Sequence, residues 1–163
     1  MARDSLSREA VLSRLKDTPG RLATITANSS ESKLKSSPEP GEWPATGVLA
    51  HLRACADVWG DAIATILRQD RSTLRAINPR LWIKRTGYAE LAFGPSLAAF
   101  TAQRAELLRI LDALPDAAWS LSITVTGAGS PLVRTVHSYA ERLARHESAH
   151  IKQIERLVSS LQS

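Results

Sequence analysis

The stretch TVHSYAERLARHESAHIKQIERLVSSL, residues 135–161, decides the fold and carries the chemistry. Its apolar positions Val136, Ala140, Leu143, Ile154, Leu157 and Leu161 recur at intervals of three and four, the signature of one buried helix face. Glu147 and His150 interrupt the middle of that seam. An acid and imidazoles inside an apolar stripe are costly unless they are paired or hold a metal. His146-Glu147-Ser148-Ala149-His150 reads H-E-x-x-H. Two histidines four apart on a helix differ by about 40° of rotation, so both imidazoles reach one ion.

The pattern ordinarily suggests a zinc protease with the Glu as general base, and the third ligand argues against that. A catalytic metal needs about three protein ligands, and in such proteases the third lies downstream. The longer pattern would require Gly at 153 and His at 156, where this chain has Gln153 and Arg156. Glu155, five residues past His150, points about 140° away. Of the four histidines, His137 lies nine residues before His146, about 180° around the same helix. His51 is left, near the start of another helical stretch, so His51, His146 and His150 form the economical ligand trio.

Three further helical patterns accompany the last one, which spans about Leu132 to Leu161. The first runs from about Ser7 to Asn28, interrupted at Asp17-Thr18-Pro19-Gly20, with Pro19 suited to the first turn of a resumed helix. A Ser/Pro/Gly-rich loop covers Ser29 to Glu42. The second helix runs from about Pro44 to Gln69, with the seam Val48, Leu52, Cys55 or Ala56, Trp59, Ile63 and Ile66. Asp70 to Tyr88 reads as irregular. The third helix runs from about Pro95, or from an earlier start, to Leu114, with the seam Leu97, Phe100, Arg104, Leu107, Leu111 and Leu114. Ala117 to Pro131 holds a β-branched run, Ser122 to Thr126, and reads as an irregular loop or a hairpin-like excursion. Four amphipathic helices predict an all-α, four-helix bundle.

At 163 residues the chain is long enough for one domain, 1–163, with a real core. Apolar content of 44% and charge of 23% are ordinary for a soluble globular protein. No apolar run approaches the length of a membrane span, and the N-terminus from Met1-Ala2 lacks a signal peptide's apolar stretch, so a cytoplasmic protein with no membrane partner is expected. The single cysteine, Cys55, fits a reducing compartment. The net charge of +5 is spread among acids, as where Arg142 and Arg145 flank Glu141 and Glu147, so no nucleic-acid partner is expected.

The chain resembles the DinB/YfiT-like superfamily of metalloenzymes. The matching elements are Thr18-Pro19-Gly20-Arg21-Leu22, Pro40-Gly41-Glu42-Trp43 leading to His51-Leu52, Thr135-Val136, and His146 through Ile154 with its His-x-x-x-His-x-x-Gln-Ile order. The resemblance implies an up-down-down-up bundle, a divalent metal held by three histidines at His51, His146 and His150, and a homodimer. Members with assigned roles are thiol-dependent S-transferases or isomerases that use low-molecular-weight thiols. Glu147 stands where the family more often shows Asp.

The expected function is therefore a metalloenzyme acting on a small molecule, its metal activating a thiol or water nucleophile. S-transfer with a low-molecular-weight thiol as co-substrate comes first and hydrolysis second. The alternative is a non-catalytic metal-binding or stress-associated protein. Three imidazoles suit Zn, Ni, Fe or Mn equally in kind. Glu147 is the candidate catalytic residue, as general base. The acceptor orienting a ligand imidazole, or the ion-pair partner for a neighbour such as Arg104, is the preferred reading of Glu147. Cys55, one turn after His51, reads as a small core residue that also lies within reach of the metal. Trp82 reads as a loop anchor or as a pocket wall, with Lys84 or Arg85 offering an anion contact. Surplus apolar positions for a dimer are Leu12, Leu15, Leu108 and Ile110.

Overall fold

The computed structural model describes residues 3–161. Met1 and Ala2, which entered the reading of the N-terminus, and the side chain of Leu161, the last seam position, lie outside the described residues.

Four long helices carry the architecture: α1 (Arg8–Thr26), α3 (Ala45–Arg68), α5 (Phe93–Asp112) and α6 (Val136–Leu161). Two short ones, α2 (Glu31–Leu34) and α4 (Pro79–Thr86), sit in the connections. Helix α6 packs on α1 and α3, and α5 packs on the same two helices. The fold is not all-α. Strands β1 (Thr73–Arg75), β2 (Ser122–Thr126) and β3 (Leu132–Thr135) form a sheet in the order β1-β2-β3, with β1 parallel and β3 antiparallel to β2.

The β-branched run at Ser122–Thr126 is thus the centre of a sheet, with its apolar side chains Ile123 and Val125 buried. Its hairpin partner occupies Leu132–Thr135, which the periodicity had assigned to the last helix. Thr135 then caps α6: its Oγ1 accepts from Ser138 N at 3.0 Å while Ser138 Oγ accepts from Thr135 N at 2.8 Å.

Pro19 does not interrupt α1, which is continuous through it. Proline lacks the N–H that would bond to the carbonyl four residues back. That freed carbonyl, Leu15 O, instead accepts from Arg104 Nη1 at 3.0 Å. The segment read as irregular contains α4. Asn78 caps its start by accepting from Arg80 N at 2.9 Å, Pro79 opens it, and Gly87 closes it at φ 70°, a left-handed conformation that suits glycine. Trp82 anchors this helix, its indole N–H donating to Asp57 Oδ2 at 2.8 Å, and the Tyr88 hydroxyl donates to the same oxygen. Helix α5 starts at Phe93, earlier than Pro95. The Glu31 carboxylate accepts from Phe93 N and Gly94 N, both at 2.9 Å, replacing a side-chain cap that Ala92 cannot provide.

The core divides in two. One cluster gathers Leu15, Trp59, Ile63, Leu111, Val136 and Leu143; the other gathers Leu22, Leu49, Leu52, Phe100, Ile151 and Ile154. Between them lie the buried polar residues Thr18, Arg104 and Glu147. Leu15 is wholly buried and so unavailable as a dimer surface, whereas Leu12, Leu108 and Ile110 keep partial exposure. No helix among the described residues is long and apolar enough to cross a membrane.

Candidate metal centre

Two helices supply the histidines. Helix α3 carries His51, with Cys55 one turn later; α6 carries His146 and His150, also one turn apart. The helical spacing turns each pair onto one face, and packing of α3 against α6 brings the two faces together. His51 Nε2 lies 2.9 Å from His146 Nε2, and His150 Nε2 lies 3.1 Å from His146 Nε2. The His51 and His150 ring centroids are 5.0 Å apart. His137 is elsewhere, its Nε2 3.0 Å from Leu6 O.

Three imidazole nitrogens facing one another is a poor hydrogen-bonding arrangement. A neutral imidazole has one N–H and one lone pair, so three converging Nε2 atoms cannot all be satisfied by each other. The other nitrogens of two rings, His51 Nδ1 and His146 Nδ1, are buried without a hydrogen-bond partner among the described residues. Two metal–nitrogen bonds of about 2.1 Å at a tetrahedral angle would hold their nitrogens about 3.4 Å apart, close to the observed spacing. The donor set fits a divalent ion.

The electrostatics point the same way. His51 is lowered to about 4, first by burial, then by His150 and Arg80. His146 is lowered to about 3, first by burial, then by His150, His51 and Arg142. Both rings are neutral at pH 7, with lone pairs available. His150 is oriented from behind: its Nδ1–H donates to Gln153 Oε1 at 2.7 Å, which leaves the lone pair on Nε2.

Cys55 Sγ lies 3.8 Å from His51 Nε2 and 3.9 Å from His146 Nε2, so His51, Cys55 and His146 form a compact donor group. The thiol is also a core side chain, 1% exposed, and burial pushes it up to about 12. Two tryptophans flank the centre. Trp43 packs tilted against His51 at 5.4 Å between centroids, and Trp59 meets His146 edge-on at 5.2 Å.

Glu147 is engaged by other residues, although its charge helps to raise the Cys55 thiol. Its carboxylate takes a two-pronged contact from Arg104, Nη1 to Oε1 at 2.8 Å and Nη2 to Oε2 at 2.5 Å. The Thr18 hydroxyl lies 3.0 Å from Oε1. The pair is buried, with 2% and 1% of the two side chains exposed. Of the three roles open to Glu147 in the sequence, the ion pair with Arg104 is the contact formed.

The DinB superfamily model matches residues 14–154, a span holding all three histidines, Glu147 and Gln153. The chain belongs to the DinB superfamily. Among solved structures, YfiT from Bacillus subtilis, described as "a probable metal-dependent hydrolase with an unusual four-helix bundle topology", has a TM-score of 0.75 and 17% identity. The match covers 96% of this chain and 91% of that one, so the two share a fold. No curated protein matches the chain at a significant level.

Within this DinB-superfamily chain, the residues that sequence reasoning missed are Gln153 as the His150 acceptor and Thr18 as a partner of Glu147. Gln153 sits three residues after His150, the spacing of helix neighbours, and that was the available signal. Thr18 carried no such signal, because its partner is 129 residues away.

Proposed function

We propose that His51, His146 and His150 hold one divalent metal ion and that the protein is a metal-dependent enzyme acting on a small molecule. The observation that carries this reading is the meeting of three Nε2 atoms, at 2.9 and 3.1 Å, in a site that cannot satisfy them by hydrogen bonding alone. A divalent ion there supplies positive charge that lowers the pKa of the water or thiol it binds.

The protein's own groups do the rest. Gln153 holds His150 in the tautomer that presents Nε2. Trp43 and Trp59 pack against the rings of His51 and His146. Glu147 is not the general base in this reading, because Arg104 and Thr18 occupy its carboxylate. Cys55 packs beside the centre as a protonated thiol and is not required for metal binding.

Two nucleophiles remain. The family resemblance favours S-transfer from a low-molecular-weight thiol, and the description attached to YfiT favours hydrolysis. Turnover of an electrophilic small molecule by metal-loaded protein, with and without such a thiol, separates them. Dependence on the thiol supports transfer. Equal turnover without it supports hydrolysis. Metal binding with no turnover on either route leaves a non-catalytic metal protein.

A further inference from the structure

Beside the histidine centre lies a second feature that metal chemistry does not explain. A cavity of about 1390 Å³ opens between α3, α4, the sheet and the start of α6. Its lining includes six cations: Arg71, Arg75, Lys84, Arg85, Arg134 and Arg142. Asp61 is the one acidic side chain lining it. Among the described residues only Arg71 has a carboxylate within salt-bridge distance, Asp70 at 3.7 Å. Five of the six cations thus line a shared space with no carboxylate within salt-bridge distance, and Asp61 is the one acid set against them.

Aromatic rings hold part of this charge in place. Arg142 is exposed yet stacks over Trp59 at 4.5 Å. Burial first, and then the nearby charge of Arg134, holds its pKa below the usual guanidinium value. Arg85 lies 5.9 Å from the Trp82 ring, and Trp82 is itself pinned by Asp57. Backbone fixes part of the lining as well: Gly127 stands at φ 85°, and a Cβ there would come within 3.0 Å of the Arg75 side chain. Trp59 lines the cavity on one side and touches His146 on the other, so cavity and histidines share one wall.

We infer that this cavity is the binding site for a small polyanion, a molecule with two or more carboxylate or phosphate groups, held between Arg75, Arg134 and Arg142 and the α4 cations Lys84 and Arg85. The half-open cavity admits a small molecule, and planar guanidiniums match carboxylate and phosphate oxygens. Resting on the metal reading, this site deepens the proposed function by giving the substrate or co-substrate its chemical class. The binding itself needs no metal.

The test uses full-length protein and two probes, tricarballylate for carboxylates and fructose 1,6-bisphosphate for phosphates, with fructose as the neutral control. Calorimetry and tryptophan fluorescence read binding in wild type, in His150→Ala, in the double variant Arg75→Gln/Arg134→Gln, and in Lys16→Gln as a charge control outside the cavity. The expected result is saturable binding of at least one probe, kept in His150→Ala and Lys16→Gln and weakened at least tenfold in the double variant, whose circular dichroism matches wild type. Which probe binds tells carboxylate from phosphate. No binding of either probe overturns the inference, as does equal weakening by Lys16→Gln, or an oligonucleotide of similar charge density binding more tightly than both. Because His150→Ala removes a metal ligand, anion binding that survives while metal is lost separates failure of the metal reading from failure of this one.

Discussion

Arg104 and Glu147 form a two-pronged ion pair inside the bundle, at 2.8 and 2.5 Å, in the layer that separates the two apolar clusters. The same guanidinium bonds the Leu15 carbonyl that Pro19 leaves free, and Thr18 adds a hydroxyl to the carboxylate. One charge pair thereby ties α1, α5 and α6 together. Glu147 stands between His146 and His150, so the tie also fixes the helix segment that presents both rings.

Removing one partner leaves a buried charge uncompensated. Arg104→Met and Glu147→Leu should each cost about 3–5 kcal/mol in denaturant unfolding. The double variant Arg104→Met/Glu147→Leu should recover a large part of that loss, because no unpaired charge remains. A double variant as unstable as the sum of the two singles would contradict this account of the pair.

Glu147→Gln separates structure from catalysis. A general base lost in this way lowers turnover by about 10²–10⁴-fold at full metal occupancy. Here the expected outcome is a less stable protein that still binds metal and, once loaded, turns over within about tenfold of wild type. Rates measured below the variant's melting temperature, with metal content checked in parallel, decide the point.

Gln153→Ala removes the acceptor behind His150. Metal affinity should fall by about 10–100-fold, with excess metal restoring occupancy. Cys55→Ala should leave metal stoichiometry unchanged. Competition with a chromophoric chelator measures both.

Acid should destabilise the metal-free bundle in a defined window. The folded-state pKa values of His51 and His146, about 4 and about 3, lie below their unfolded value near 6.5. The unfolded chain therefore takes up protons first. The stability of the neutral rings is fully present above about pH 6.5 and is lost as pH falls toward 4 and then 3. The melting temperature of metal-free protein should fall across that range, and replacing His51 and His146 with Gln should flatten the fall.

Much of this was legible in the chain. The seam of the last helix located Glu147 and His150, and elimination among four histidines reached His51. The seam of the third helix likewise carried Arg104, the opposite charge to Glu147, so the buried pair could be guessed from two anomalies. Three features differ from their local pattern, each for its own reason. Pro19 looked like a break because the group that satisfies Leu15 O lies on α5. Leu132–Thr135 looked helical because its strand partner, β2, lies across a turn. Helix α4 was passed over although Asn78-Pro79 and Gly87 mark both ends, because its 8 residues show no buried stripe. The role of Gln153 depends on the ring orientation of His150, which spacing alone does not set.

The central claim is a divalent ion on three histidines. It is tested most directly by elemental analysis of untagged protein purified without added metal, beside His51→Ala, His146→Ala and His150→Ala, each shown folded by circular dichroism. The account predicts close to one divalent ion per chain in wild type and loss of most of it in every variant. Wild type that neither carries nor takes up metal, or variants that keep full occupancy, would contradict it.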